Sequence, residues 1–186
     1  MPRIVFATAL PVGMESMNEV VELEIGDRMN PLEIKERLNQ TLPEGIRITE
    51  AAEVPLSFSS SSIFRRSVYW IMPDPRISKV EADAKIREAL EKETLLVVQE
   101  RKEKRRSIDI LPLIEKMRVK ASVHSEEGFD RIPGGEEKEE RGNNGWGIEL
   151  VLRRSNEGTA KPSEVIGAIL GLEGEFLTQL KVIKLE

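Results

Sequence analysis

A run of basic residues is the part of this sequence whose composition most directly indicates a binding function. Five cations occur within six residues, at what we predict to be the tip of a β-hairpin, and such tips are well placed to touch phosphates. We predict that this run contacts RNA or a protein partner. The alternative is a solvated turn, because no aromatic stacking platform is adjacent in sequence. The cations are Arg101, Lys102, Lys104, Arg105 and Arg106.

Two arginine pairs elsewhere in the chain extend this basic character. Arg65 and Arg66 precede the aromatic pair Tyr69-Trp70, and Arg153-Arg154 follow a predicted strand. We assign Arg65 and Arg66 to the same contact surface as the basic run. For the two aromatic residues we favour packing in a core or between domains over base stacking.

The sequence lacks the residues that most metal and redox chemistry needs. It has no cysteine and a single histidine, His124, which excludes disulfides, thiolate catalysis and cysteine-bound zinc or iron–sulfur centres. An isolated imidazole is more often solvated than a metal ligand. We therefore expect neither a metal site nor a cofactor, and find no arrangement typical of an enzyme.

Charge and hydropathy are unevenly distributed along the 186 residues. The net charge is −5, but residues 125–145 alone contribute −4 through seven acids and three bases, which leaves −1 for the remainder. We expect this acidic, glycine-rich segment to be disordered, because it cannot bury enough apolar surface to offset its ordering entropy. No apolar run approaches the roughly 20 residues of a membrane helix, so we expect a cytoplasmic protein without membrane contact.

The most regular stretch, residues 19–55, predicts a β-α-β unit. Val21, Leu23 and Ile25 alternate with Glu22 and Glu24, as in a strand with one buried face. A helix follows, with Asn30 as N-cap and Pro31 at its first position, and a second strand begins at Ile46. Before this unit, Ile4–Leu10 predicts a strand covered on both faces, and Met14–Asn18 a loop.

The second half repeats this pattern with a hairpin inserted. Phe64–Met72 predicts a strand, Ser78 and Glu81 a capping box for a helix to about Glu93, and residues 94–110 a hairpin. Pro112 is predicted to begin a short helix through Met117. Alternating residues 118–123 and 148–152 predict two strands, and Pro162 a helix that Gly171 or Gly174 ends, before a last strand at 180–185.

Four runs of the sequence resemble the radical-SAM-linked protein family, a bacterial domain family found fused to or beside radical-SAM enzymes. The first, Phe6–Ser16, reads Phe-Ala-Thr-Ala-Leu-Pro-Val-Gly-Met-Glu-Ser, and the second joins Leu42–Ile48 to Glu53–Leu56. The third is Ser107–Ile114, and the fourth is Lys161–Ile166. Asp109 matches the family pattern, and two roles stay open for it, a helix-capping acid or a residue of the contact surface.

This resemblance implies a radical-SAM protein as partner. It also implies an RNA context, because genes of that family often lie near those for ribosomal proteins and a ribonuclease. Family members usually carry a further strand and long helix ahead of the segment that begins here. We therefore predict an α+β fold of two ferredoxin-like (βαββαβ) units, the first incomplete at its N-terminus. We expect an upstream segment, a second copy of the chain in a homo-oligomer, or a partner to complete the first sheet. The predicted boundaries are 1–56, a linker at 57–63, and 64–186.

The function expected from these features is that of a non-catalytic accessory domain that binds a radical-SAM enzyme or its macromolecular substrate. The chain contains no Cys-x-x-x-Cys-x-x-Cys motif and so is not the radical generator. The alternative is an RNA-binding module acting on ribosomal or transfer RNA. A third reading, an enzyme with its own site, has no set of residues behind it.

Overall fold

The computed structural model describes residues 3–8, 10–60, 64–72, 74–101, 104–121, 145–155, 158–174, 177 and 180–185. This part of the chain forms a mixed α+β structure. Its strands are β1 (Arg3–Phe6), β2 (Glu15–Ser16), β3 (Val21–Glu24), β4 (Arg66–Ile71), β5 (Leu96–Arg101), β6 (Lys104–Asp109), β7 (Ile114–Ala121), β8 (Trp146–Arg153) and β9 (Val182–Lys184). Its helices are α1 (Pro31–Asn39), α2 (Lys79–Leu90) and α3 (Pro162–Leu170), with a short 3-10 helix at Leu111–Leu113. His124 and the predicted disordered loop, apart from Gly145, lie outside the described residues.

Two compact units make up the described chain. The first holds residues 3–8 and 19–60 together with Phe64, and the second holds residues 10–18 and the described residues from Arg65 onward. Each unit has its own sheet or sheets, as set out below.

In the first unit, β1 and β3 form an antiparallel two-stranded sheet, and α1 follows them. Ile4 lies opposite Leu23, and Phe6 opposite Val21. The helix begins as predicted: the Oδ1 of Asn30 accepts a hydrogen bond of 2.9 Å from the backbone N–H of Leu32, which satisfies one of the amides that every helix N-terminus leaves unpaired.

Two predictions for the first unit are wrong. The strand predicted over residues 4–10 as covered on both faces is shorter, and Ile4 and Phe6 are 59 and 60% exposed; a two-stranded sheet cannot bury both of its faces. The strand predicted from Ile46 is not formed, since residues 46–55 carry no strand. Instead, the side-chain amide of Asn39 forms two hydrogen bonds with the backbone of Ile48. Its Oδ1 accepts from the N–H at 2.8 Å, and its Nδ2 donates to the carbonyl at 3.0 Å.

The prediction for β3, with Val21 and Leu23 on a buried face and Glu22 on the side that faces water, is also wrong. Val21 and Leu23 are exposed. The carboxylate of Glu22 accepts hydrogen bonds from the backbone N–H of Ser60, at 2.5 Å, and from the Ser60 hydroxyl. These hydrogen bonds lower the pKa of Glu22 below its ordinary value, and the one from the hydroxyl has the larger effect. Ser60 is buried, so this serine of the predicted linker is held within the first unit.

The second unit is built on a five-stranded sheet of order β2-β9-β4-β8-β7. The pairs β4–β9, β4–β8 and β7–β8 are antiparallel, and β2 runs parallel to β9. The two-residue strand β2 lies where we predicted a loop. A separate antiparallel hairpin, β5–β6, comes between α2 and β7 along the chain, where the sequence predicted it.

The helices of the second unit pack on one face of this sheet. Alternate residues of β8 point to that face, and Ile148, Leu150 and Leu152 are buried there. They share one apolar core with the buried stripes of the helices, Ala82, Ile86 and Ala89 from α2, and Val165, Ile166, Ile169 and Leu170 from α3.

The helix ends that the sequence predicts at Ser78, Pro162 and Gly171 are confirmed, while α2 ends at Leu90 rather than near Glu93. Ser78 accepts from the N–H of Glu81 at 3.2 Å, and Gly171 ends α3 in the left-handed conformation with a φ of 73°. The helix predicted from Pro112 through Met117 is wrong. Only Leu111–Leu113 form a 3-10 turn, and Ile114 begins β7, because pairing with β8 satisfies the backbone from Ile114 onward.

Trp70 of β4 and Gly147 of β8 meet on the face of the sheet opposite the helices. A β-carbon at position 147 would overlap Cζ2 and Cε2 of the Trp70 indole. The indole is only 8% exposed, so it lies against the strand at the place where a side chain of residue 147 would stand.

We therefore expect Gly147→Ala to lower the free energy of unfolding by about 1–3 kcal/mol, because the indole must leave its rotamer or the strands must separate. Urea denaturation measures the change. Gly26→Ala is the matched control, since no atom lies within 4 Å of a β-carbon there. Equal stability of the two variants would show that the indole moves aside without cost.

Candidate functional site

The basic run lies on the β5–β6 hairpin, as the sequence predicts. Arg101 lies opposite Lys104, and Arg105 opposite Glu100; Lys102 is outside the described residues. The Nε of Arg105 lies 2.5 Å from the Oε1 of Glu100, and both Arg105 and Arg106 are exposed. An exposed ion pair of this kind contributes little to stability. A role in stabilising the fold therefore does not explain why these side chains are arginines.

The hairpin is attached to α3 by a residue that the sequence analysis did not single out. Gln99 is buried, and its Nε2 donates to the carbonyl of Thr159 at 2.9 Å and to the Oε2 of Glu164 at 2.8 Å. The same Glu164 oxygen accepts from the backbone N–H of Lys161 at the start of α3. Arg106 lies opposite Gln99 in the hairpin, so this contact positions the basic strand on the second unit.

Asp109 is the last residue of β6, next to the N-cap of the 3-10 helix, Ile110. Its Oδ1 accepts from the backbone N–H of Leu95, at 2.9 Å, and of Leu111, at 3.1 Å. The carboxylate thus joins the start of β5 to the 3-10 turn that follows β6. Of the two roles left open by the sequence, helix capping matches the hydrogen bond from Leu111 and does not explain the one from Leu95.

The arginine pairs come together at one end of strands β4 and β8. Arg66 lies directly opposite Arg153, and the backbone N–H of Arg154 donates to the carbonyl of Arg65 at 2.7 Å. Two like charges opposite each other repel, and Glu115 lies near both. Its Oε1 is 3.7 Å from the Nη1 of Arg66, and its Oε2 is 2.9 Å from the Nε of Arg153.

A second cluster surrounds Glu149 in the middle of β8, and the sequence analysis did not identify it. Three cations of β7 reach this carboxylate: the Nζ of Lys116 at 3.0 Å, the Nε of Arg118 at 2.7 Å and the Nζ of Lys120 at 2.8 Å. They occupy alternate positions of one strand, so their side chains share a face. The sequence signal of this cluster is the alternation of cations along one strand, together with a single acid between apolar neighbours in the next strand.

Glu115 joins the same face through an irregularity in the sheet. The register between β7 and β8 shifts between Ile114 and Lys116, as at a β-bulge, where two residues oppose one. We call the five cations Arg66, Lys116, Arg118, Lys120 and Arg153, with the acids Glu115 and Glu149, the basic sheet face. Its formal charge is five positive minus two negative, or +3.

The electrostatics of Glu149 keep the carboxylate ionised. Burial raises its pKa, but hydrogen bonds from Lys120, Lys116 and Arg118 outweigh that effect and bring the pKa down to about 2 from an ordinary 4.5. The side chain is 15% exposed. A carboxylate with so low a pKa is a poor proton donor or acceptor near neutral pH, so the cluster is suited to holding charge rather than moving protons.

The described residues give less support for a metal site or for a small-molecule pocket. Among the residues that the structure describes, no three His, Asp or Glu side chains come together in a way that could hold a metal ion. A groove of about 380 Å³ in the first unit is lined mainly by apolar side chains. Its lining residues are Leu23, Ile25, Gly26, Asp27, Met29, Ile34, Arg37, Leu38 and Thr41.

No helix within the described ranges is both long and apolar enough to cross a membrane. In comparisons with known proteins, the family model described as an uncharacterized protein conserved in bacteria (DUF2344) matches residues 1–162. No curated protein and no solved structure matches the chain.

The Glu149 cluster makes the free energy of unfolding depend on pH. Because the pKa of Glu149 is lowered to about 2 in the folded state, its contribution is complete above pH 4.5 and is lost as the pH falls from there towards 2. We expect Glu149→Gln to lower the free energy of unfolding by about 1–3 kcal/mol at neutral pH. The difference from the wild type should shrink below pH 4.5, as measured by urea denaturation at each pH.

The control for this prediction is Glu88→Gln, which removes an exposed carboxylate paired with Lys92 at 3.4 Å. Its effect should stay within about 0.5 kcal/mol. A constant gap between wild type and Glu149→Gln from pH 7 to pH 2 would contradict the assigned role of the carboxylate.

Proposed function

The chain belongs to the DUF2344 family of uncharacterized proteins conserved in bacteria, and we propose that it is a non-catalytic accessory domain that binds a macromolecule in the cytoplasm. The observation that carries this proposal is the pair of positively charged surfaces on the second unit, the β5–β6 hairpin and the basic sheet face. Surfaces of this kind attract anionic partners over distances of about a Debye length.

The chemistry of the described carboxylates supports binding rather than catalysis. A general acid or base works best with a pKa near the operating pH. Glu22, Asp74 and Glu149 all have a pKa shifted the other way, downward. For Asp74 the cause is the hydrogen-bonded side chain of Arg76, which brings the pKa to about 2.

The partner that we propose is a radical-SAM enzyme, or the macromolecular substrate of such an enzyme. Support for this partner comes from the runs Phe6–Ser16, Leu42–Ile48 and Ser107–Ile114, which resemble radical-SAM-linked proteins. The chain has no cysteine, so the partner would supply the iron–sulfur cluster.

A second candidate function is binding of ribosomal or transfer RNA. The exposure of Arg105 and Arg106 on the hairpin favours it, since arginine binds phosphate through two parallel hydrogen bonds. The accessory role and RNA binding are compatible with each other. An accessory domain that holds an RNA substrate for a modifying enzyme would need both the β5–β6 hairpin and the basic sheet face.

We also propose that the second unit is ferredoxin-like. The order β4-α2-β7-β8-α3-β9 follows the βαββαβ pattern, with β5–β6 as an insertion, and the strands lie side by side as β9-β4-β8-β7 with antiparallel neighbours. For the first unit, an incomplete ferredoxin-like fold stays a proposal. Its described residues supply a pair of antiparallel strands and one helix.

Association with the enzyme is tested by co-expressing the tagged full chain with the radical-SAM protein of the same genome. We expect the enzyme to co-purify in stoichiometric amount, as judged by analytical ultracentrifugation of the purified complex. A chain that sediments alone in the presence of the folded, cluster-loaded enzyme would overturn the accessory role.

RNA binding through the hairpin is tested with Arg105→Glu/Arg106→Glu. We expect the double variant to bind labelled transfer RNA at least about tenfold more weakly than the wild type in low salt, and wild-type affinity to fall steeply between about 50 and 200 mM salt. Fluorescence anisotropy gives both quantities. Arg87→Glu/Lys92→Glu makes the same charge change at α2 and serves as the control. If neither salt nor the hairpin variant alters binding, the hairpin does not contact phosphate.

A further inference from the structure

We infer that the basic sheet face is a binding surface for the phosphate backbone of single-stranded RNA, separate from the hairpin. The inference rests on the RNA-binding function proposed above, for which only the hairpin was named as an RNA contact, and adds the basic sheet face as a second contact. Three observations support it: the grouping of the cations on one face, their excess over the carboxylates and their fixed positions.

The cations are arranged in two clusters. Lys116, Arg118 and Lys120 stand at alternate positions of β7, and their charged groups converge on Glu149. Arg153 of β8 and Arg66 of β4 continue the face across the sheet, and their guanidinium groups lie near Glu115. Each cluster holds more cations than carboxylates, so the face offers two positively charged positions to a polymer that carries several phosphates.

The two carboxylates of the face cannot satisfy the cations around them. Two ammonium groups and a guanidinium offer about eleven N–H donors, whereas the carboxylate of Glu149 has about four acceptor sites. Lys116, Arg118 and Lys120 are 43, 48 and 39% exposed. Each of them therefore presents unsatisfied donors to solvent, where phosphate oxygens would accept hydrogen bonds.

Glu149 also holds these long side chains in place before any ligand arrives. Binding normally costs about 0.5–1.5 kcal/mol for each flexible side chain that becomes ordered. Because Lys116, Arg118 and Lys120 already converge on one carboxylate, much of that cost is met within the folded protein. Glu115 does the same for Arg66 and Arg153.

The aromatic residue of this face is not available for base stacking. Trp70 lies opposite Glu149 but is 8% exposed and packs against Gly147. Without stacking, binding depends on the phosphates alone, and such binding tolerates any sequence and weakens strongly with salt.

The test uses the full chain and a fluorescein-labelled oligouridylate in anisotropy titrations over a range of salt concentrations. The quadruple variant Lys116→Gln/Arg118→Gln/Lys120→Gln/Glu149→Gln removes three positive charges and one negative, a net change of −2. We expect it to bind at least about tenfold more weakly in low salt. The slope of log K against log salt should become shallower by about 2, at about 0.7 for each lost phosphate contact on a single strand.

The matched control is Arg87→Gln/Lys92→Gln, which also changes the net charge by −2 but lies at α2, on the helix side of the sheet. It should leave the slope unchanged.

Circular dichroism checks that each variant is folded. If the quadruple variant does not fold, Lys116→Gln and Lys116→Arg replace it; the first should reduce the slope by about 0.7, and the second should not.

Three results would overturn the inference. If the folded sheet-face variants bind like wild type while Arg105→Glu/Arg106→Glu loses binding, RNA binding stands and the site is the hairpin. If the wild type binds no oligouridylate, both the inference and the RNA-binding function fail. If labelled poly-L-glutamate then binds with the same dependence on these variants, the face recognises an acidic protein.

Discussion

The alternation of side chains along β8 is the constraint on which the second unit depends. Ile148, Leu150 and Leu152 face the helices and are buried, whereas Glu149 faces the other way. A slip of one residue would turn Glu149 into the apolar core and expose the isoleucine and leucine side chains. The register that builds the core therefore also fixes where the three cations of β7 meet their carboxylate.

Much of the second unit could be predicted because its signals are local. Ser78 with Glu81, Pro162 and Gly171 each mark a helix end within a few residues, and period-2 patterns mark the strands. The Glu149 cluster could not be found in this way, because Arg118 and Glu149 are 31 positions apart and meet only through strand pairing. The basic hairpin was predictable because all of its cations are neighbours in sequence.

The first unit illustrates why a strand pattern is an incomplete prediction. Residues 46–55 alternate like a strand, but a strand exists only where another backbone pairs with it. The side-chain amide of Asn39 pairs with Ile48 in place of a neighbouring strand. Asparagine can do so because its side chain carries the same donor and acceptor as a peptide group.

The contact of Trp70 with Gly147 links two positions that lie far apart in the sequence. The indole fills the volume that a side chain at 147 would occupy. One side chain therefore covers both positions on the face of the sheet opposite the helices. Neither position can then vary independently: a smaller residue at 70 would leave a void, and a larger residue at 147 would have no room. The side chains that positions 70 and 147 can carry are thus coupled through the one volume that they share.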